Sequence, residues 1–172
     1  MPSSRALALA CVLAVGGSVR AAETAPATVA VTGLPRPANL GQKDLSALGT
    51  KTTAWTVHGK KRQVTGVRLD KVLTHLGFLP GPMGKDVPVS EKRAGYRKAV
   101  VATAADGFRA VFSVAECVEG MGPTEVLVVW AIDGKALGPD EGPFRLAVLT
   151  DGEPSRSLRQ LEKLEVVDVV PR

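Results

Sequence analysis

Apolar and polar positions change phase every few residues along this chain, and the periods sort into short strands and shorter helices. VAVTG reads as a strand closed by Gly33, and LPRPANL as an extended segment held by two prolines. In KDLSALG, Leu45 and Leu48 lie three apart before a glycine stop, which predicts one or two helical turns; TAWTVHG then reads as a strand. VRLDKVLTHLG carries Leu69, Val72, Leu73 and Leu76 at i, i+3, i+4 and i+7, with Gly77 as a left-handed stop. Such a short, one-faced helix is built to cover a sheet.

FLPGPMGKDVPVSEKRAG is rich in proline, glycine and charge and reads as a long surface excursion, with Gly81-Pro-Met-Gly84 as turn chemistry. KAVVATAADGFRAVFS predicts a hairpin about Asp106-Gly107. Ser113 and Glu116 sit at capping-box spacing and should open a brief helix. TEVLVVWAIDGKAL, broken at Asp133-Gly134, and GPFRLAVLT are two further apolar strands joined by the turn PDEG, and LEKLEVVDVV is the last. The sum is a single α+β domain, mainly β, with a mixed sheet and short helices.

Arg5 followed by an apolar stretch to about Gly16, with Val19-Arg20-Ala21 as a small-residue cleavage site, reads as an export signal over residues 1–21. Residues 22–28 read as a flexible lead-in. The expected location is therefore periplasmic or secreted. No run approaches the roughly 20 apolar residues of a membrane helix, so no membrane span is expected. Removing the signal leaves roughly 150 residues, the size of one domain with its own core.

Composition narrows the classes. Of 172 residues 45% are hydrophobic, and the mean hydropathy of +0.10 excludes a disordered chain, while 18 Gly and 12 Pro call for many turns. The formal charge of +5 admits anionic partners, but the lysines and arginines are scattered without an aromatic-rich basic surface, which argues against nucleic acid. Cys11 lies in the signal, so Cys117 is left as a lone thiol with no internal disulfide partner; it reads as a buried structural residue. GxSxG, Walker-type, CxxC and HExxH motifs are all missing.

The candidate chemistry is sparse. His58 ends an apolar run, and Lys60, Lys61 and Arg62 follow it. It reads either as a polar wall of a site or as a hydrogen-bonded residue where a strand runs into a basic loop. His75, opposite the apolar stripe of its helix, should be exposed. Tyr96 and Arg97 follow the long excursion and could line a pocket.

The order VTGLPRPANL, VTGVRLDKVLTHLG, ADGFRAVFSVAE, DGKALGPDEGPFRLAVL, SLRQLEKLEVVDV resembles the oxidoreductase molybdopterin-binding domain, the fold of the sulfite oxidase family, over about residues 29 to 170. The resemblance implies a mixed, barrel-like α+β fold whose loops converge on a pterin that binds molybdenum through its dithiolene. It also implies a cysteine thiolate on the loop before the helix that here opens Gly66-Val67-Arg68-Leu69. Counting back places His58 at or beside that cysteine, and imidazole is a poor replacement for a soft thiolate.

The family binds its cofactor phosphate before the last strand, where SRSLRQLEKLEV offers Arg156 and Arg159 with Ser155 and Ser157. The alternative for these residues is a solvated loop. Family enzymes also generally leave the cytoplasm folded on a twin-arginine signal, whereas Arg5 stands alone here.

Two functions follow. The first is an exported relative without molybdenum or cofactor, a binding module for an anionic small molecule or an acidic protein partner, with Arg156 and Arg159 approaching the loop of His58. The second is a molybdopterin-dependent oxidoreductase of the sulfite oxidase type, in which His58 or an unforeseen donor completes the centre. The sequence leaves the ligand, the oligomeric state and any redox partner open.

Overall fold

The apolar runs become ten strands in two sheets, seen in a computed structural model that describes residues 27–78, 88–119 and 124–169. The export signal over 1–21, most of the lead-in 22–28 and the Gly81-Pro-Met-Gly84 turn lie outside those residues. The first sheet runs β2-β1-β10-β5-β6, from β1 (Thr28–Thr32), β2 (Ala38–Gly41), β5 (Lys98–Ala104), β6 (Arg109–Ser113) and β10 (Leu161–Asp168). The first and last strands pair in parallel, with Ala30 opposite Lys163, and the other pairs are antiparallel.

The second sheet is built from β3 (Lys51–Val57), β4 (Lys60–Arg68), β7 (Val126–Ile132), β8 (Lys135–Ala136) and β9 (Arg145–Val148), with β4, β8 and β9 all pairing to β7. Strand β7 is flanked on both sides and apolar on both faces, which is why VLVVWAI is a continuous run and not an alternation. One face joins the main core with Phe112, Phe144, Leu73 and Leu164. The other gathers Trp55, Val64, Leu127, Val129, Ile132 and Ala147 into a second cluster. Gly66, where β4 bulges against β7, is held to glycine by contact: a Cβ there would overlap the carbonyl oxygen of Val128.

Among the described residues four short α-helices fill in: α1 (Gln42–Ala47), α2 (Leu69–His75), α3 (Val89–Tyr96) and α4 (Val114–Cys117). Leu69, Val72, Leu73 and Leu76 are all buried, as their spacing predicts, and Gly77 takes φ 81°. In α4 the Ser113 amide donates to Glu116 Oε1 at 2.8 Å, the reciprocal half of the predicted capping box.

Three expectations change. Among the described residues the sheets stay open, so the mainly β, α+β architecture holds but no closed barrel forms. The second half of the long excursion is a helix, α3; its residues lack an apolar stripe, so periodicity does not reveal it. Finally, the three cations after His58 do not lie in a loop. They open β4, paired in unbroken register from Val57 opposite Lys60 to Lys51 opposite Gly66.

Candidate functional site

His58 occupies a two-residue turn. His58 and Gly59 have φ of 48° and 71°, the positive pair that a tight hairpin between right-twisted strands demands. Histidine is among the few side chains that tolerate this region, so the turn by itself explains the residue. Its side chain is exposed, as are Lys60, Lys61 and Arg62. A tight turn has no slack with which to reach into a pocket.

Arg156, at the end of a 3₁₀ turn over Pro154–Arg156, faces the protein's own acids. Its Nε and Nη2 donate to Asp151 at 2.9 and 2.7 Å, and Nη1 lies 3.4 Å from Glu116. The guanidinium also sits 5.1 Å from the centre of the Phe112 ring. The Asp151 hydrogen bond, above all, raises its pKa. This fork is already satisfied by carboxylates. Ser157 accepts a hydrogen bond from the Val148 amide at 3.0 Å and so ties the segment to β9, while Ser155 is exposed. No hydrogen bond, ion pair or ring contact among the described residues joins Arg156 to His58.

Arg159 is exposed and acts elsewhere. Arg145, on β9, is 6% exposed, stacks over Trp55 with 4.7 Å between guanidinium carbon and ring centre, and pairs with Glu141 at 3.2 Å. Its Nε is buried without a partner. Burial pulls its pKa down, Glu141 opposes that, and the charges of Arg159 and Arg62 add to the fall. Arg62 is itself held by Asp133 at 2.6 Å, and Asp133 Oδ1 accepts from the Gln63 amide at 2.8 Å. Arg62, Asp133, Lys135 and Glu141 line a cleft of about 290 Å³ beside this group. Arg62, Lys135, Arg145 and Arg159 thus gather at one end of the second sheet, with Lys60 and Lys61 on the hairpin above.

Sequence reading missed Arg145 and Trp55. A lone arginine inside the apolar run GPFRLAVL was the available signal, since a buried cation must find either partners or a ligand.

Cys117 is buried, and its thiol pKa is pushed up to about 12 by burial and then by the Glu116 charge. It lies on α4, beside Glu116. A second ion network surrounds Arg68, which grips Asp70 at 3.1 and 3.2 Å and meets Glu125, itself paired with Lys51. His75 is exposed on α2 as expected, and Tyr96 and Arg97 are exposed where α3 passes into β5.

No family model matches the chain. No curated protein sequence matches it either. Among solved structures it is similar to the sulfane dehydrogenase SoxCD from Paracoccus pantotrophus, with a TM-score of 0.60 and 16% identity, over 82% of this chain and 38% of that one. The chain therefore spans well under half the length of that neighbour, and the likeness is one of fold alone, a mixed α+β arrangement made mostly of sheet.

Proposed function

We propose that this chain is an exported, periplasmic or secreted binding module that keeps the molybdopterin-binding-domain fold and uses the basic end of its second sheet to hold an anionic ligand or partner. The observation that carries this is Arg145. A guanidinium almost wholly withdrawn from water, with one donor unmatched and two further arginines raising the local potential, is costly as it stands; an arriving anion relieves that cost. The site differs from the one expected around Arg156, whose fork already holds Asp151.

The donors argue against a molybdenum centre. The fold family supplies a thiolate, but Cys117 is a buried thiol on α4 held protonated at neutral pH, and His58 is exposed in the β3–β4 turn of the second sheet. They do not fit the group, and no redox step is assigned to this chain. The alternative, a molybdopterin-dependent oxidoreductase, has the fold alone in its favour, and fold does not carry chemistry by itself.

The test has two arms. Protein purified from a host that makes molybdopterin should contain far less than one molybdenum per chain, and near-stoichiometric metal overturns the cofactor-free reading. Phosphate or citrate should raise the melting temperature in a salt-sensitive way, and Arg159→Ala with Lys135→Ala should abolish that rise. An unchanged response would show that the anion binds elsewhere.

A further inference from the structure

A different feature of the same sheet points to a protein partner. Strand β3 is an outer strand: among the described residues β4 is its sole strand neighbour, and no described backbone group outside that ladder bonds to Thr52–Val57. Natural edges are commonly blunted by an inward charge, a proline, a bulge or a very short strand. Strand β3 has none of these. Its seven residues, KTTAWTV, carry one charge at the very start, pair with β4 in unbroken register, and are otherwise small, β-branched or aromatic. Lys51 is tied down by Glu125. Trp55 anchors the strand from beneath, its indole nitrogen donating to the Val148 carbonyl at 3.2 Å, so the edge is firm.

We infer that β3 is a docking edge for an extended, acidic segment of a partner protein, added as a further strand with its carboxylates at the His58 end. Charge complementarity selects the occupant. Lys60 and Lys61 stand opposite Val57 and Thr56 in the ladder, are exposed, and make no ion pair among the described residues. A new strand would lie about 4.8 Å beyond β3 and about twice that from β4, a gap that a lysine stem laid across Thr56 or Val57 and a partner carboxylate reaching back would span together. Main-chain bonds along Thr52–Val57 would supply affinity, and the lysines would set polarity and register. A second copy of this chain, carrying the same lysines and the same net positive charge, lacks the acidic end.

The experiment uses the full mature protein, isotope-labelled, and three synthetic peptides: one of alternating Thr and Val with two Asp at one end, the same with Asn for Asp, and a scrambled acidic control. The first should shift β3 amide resonances and slow their hydrogen exchange. The Asn peptide should bind at least tenfold more weakly, and Lys60→Glu with Lys61→Glu should abolish the preference for Asp without altering the spectrum of the free protein. Shifts confined to the Arg62–Lys135 cleft, or equal binding by the scrambled control, overturn the docking edge while leaving the anion site standing. Concentration-dependent protection of β3 without peptide overturns it in favour of self-pairing. Loss of the phosphate response in the Arg159→Ala, Lys135→Ala protein leaves β3 binding intact, so the two ideas fail separately.

Discussion

The guanidinium of Arg145 sits 4.7 Å from the ring centre of Trp55, and that stack closes the second apolar cluster over Val64, Leu127 and Val129. The charge lies where a hydrophobic side chain would serve packing as well. Replacing a buried, incompletely paired cation with an apolar isostere is often neutral or stabilising, provided the partner left behind reaches water. Glu141 is one-third exposed and meets that condition. Arg145→Met should therefore leave urea-denaturation stability unchanged or raise it by about 1 kcal/mol, while removing the anion-dependent rise in melting temperature. A loss of several kcal/mol would make Arg145 structural. Trp55→Ala, by contrast, should cost about 3 to 5 kcal/mol.

His58 is a turn residue, and its substitutions should follow backbone geometry. At φ 48°, asparagine and glycine are tolerated, so His58→Asn should move stability by no more than about 0.5 kcal/mol. His58→Val places a β-branched side chain in left-handed space and should destabilise by about 1 to 2 kcal/mol. Equal effects of the two in chemical denaturation would show that the side chain has another task.

Cys117 should resist thiol reagents under native conditions, with labelling limited by unfolding. Its folded pKa of about 12 lies above the ordinary thiol value of about 8.5, so only the unfolded chain ionises between them. The contribution to stability is thus complete below the unfolded value and declines as pH rises toward the folded one. Denaturation midpoints should fall above about pH 8.5, and Cys117→Ala should flatten that decline.

Asp133 works in the opposite sense. The Gln63 amide first, and Arg62 after it, hold its carboxyl below the ordinary value. Its contribution is complete above the unfolded pKa, about 3.9, and is lost as pH falls through the folded one. A carboxyl-carbon NMR titration should find the midpoint depressed. Because protonation releases Arg62 beside the cleft, phosphate should bind more tightly at the acid end, and Asp133→Asn should produce that tighter binding at neutral pH.

Local chemistry in the sequence determined most elements. Spacing of Leu69, Val72, Leu73 and Leu76 specified α2, the Ser113 and Glu116 pair opened α4, and the Asp106-Gly107 and Asp133-Gly134 turns ended strands. These signals are legible because each depends on a few consecutive residues. Helix α3 escaped because it carries no apolar period to read.

What tertiary structure alone decided was which charges meet. Arg156 and Arg159 are three residues apart and look alike on paper. One is turned to Asp151, five residues before it, and to Glu116, forty residues before it, and the other acts on Arg145. Electrostatic work depends on distance through space and on burial, and neither is carried by spacing along the chain. For the same reason Arg145 passed as one residue in an apolar strand until the fold laid it over Trp55 with an unmatched donor.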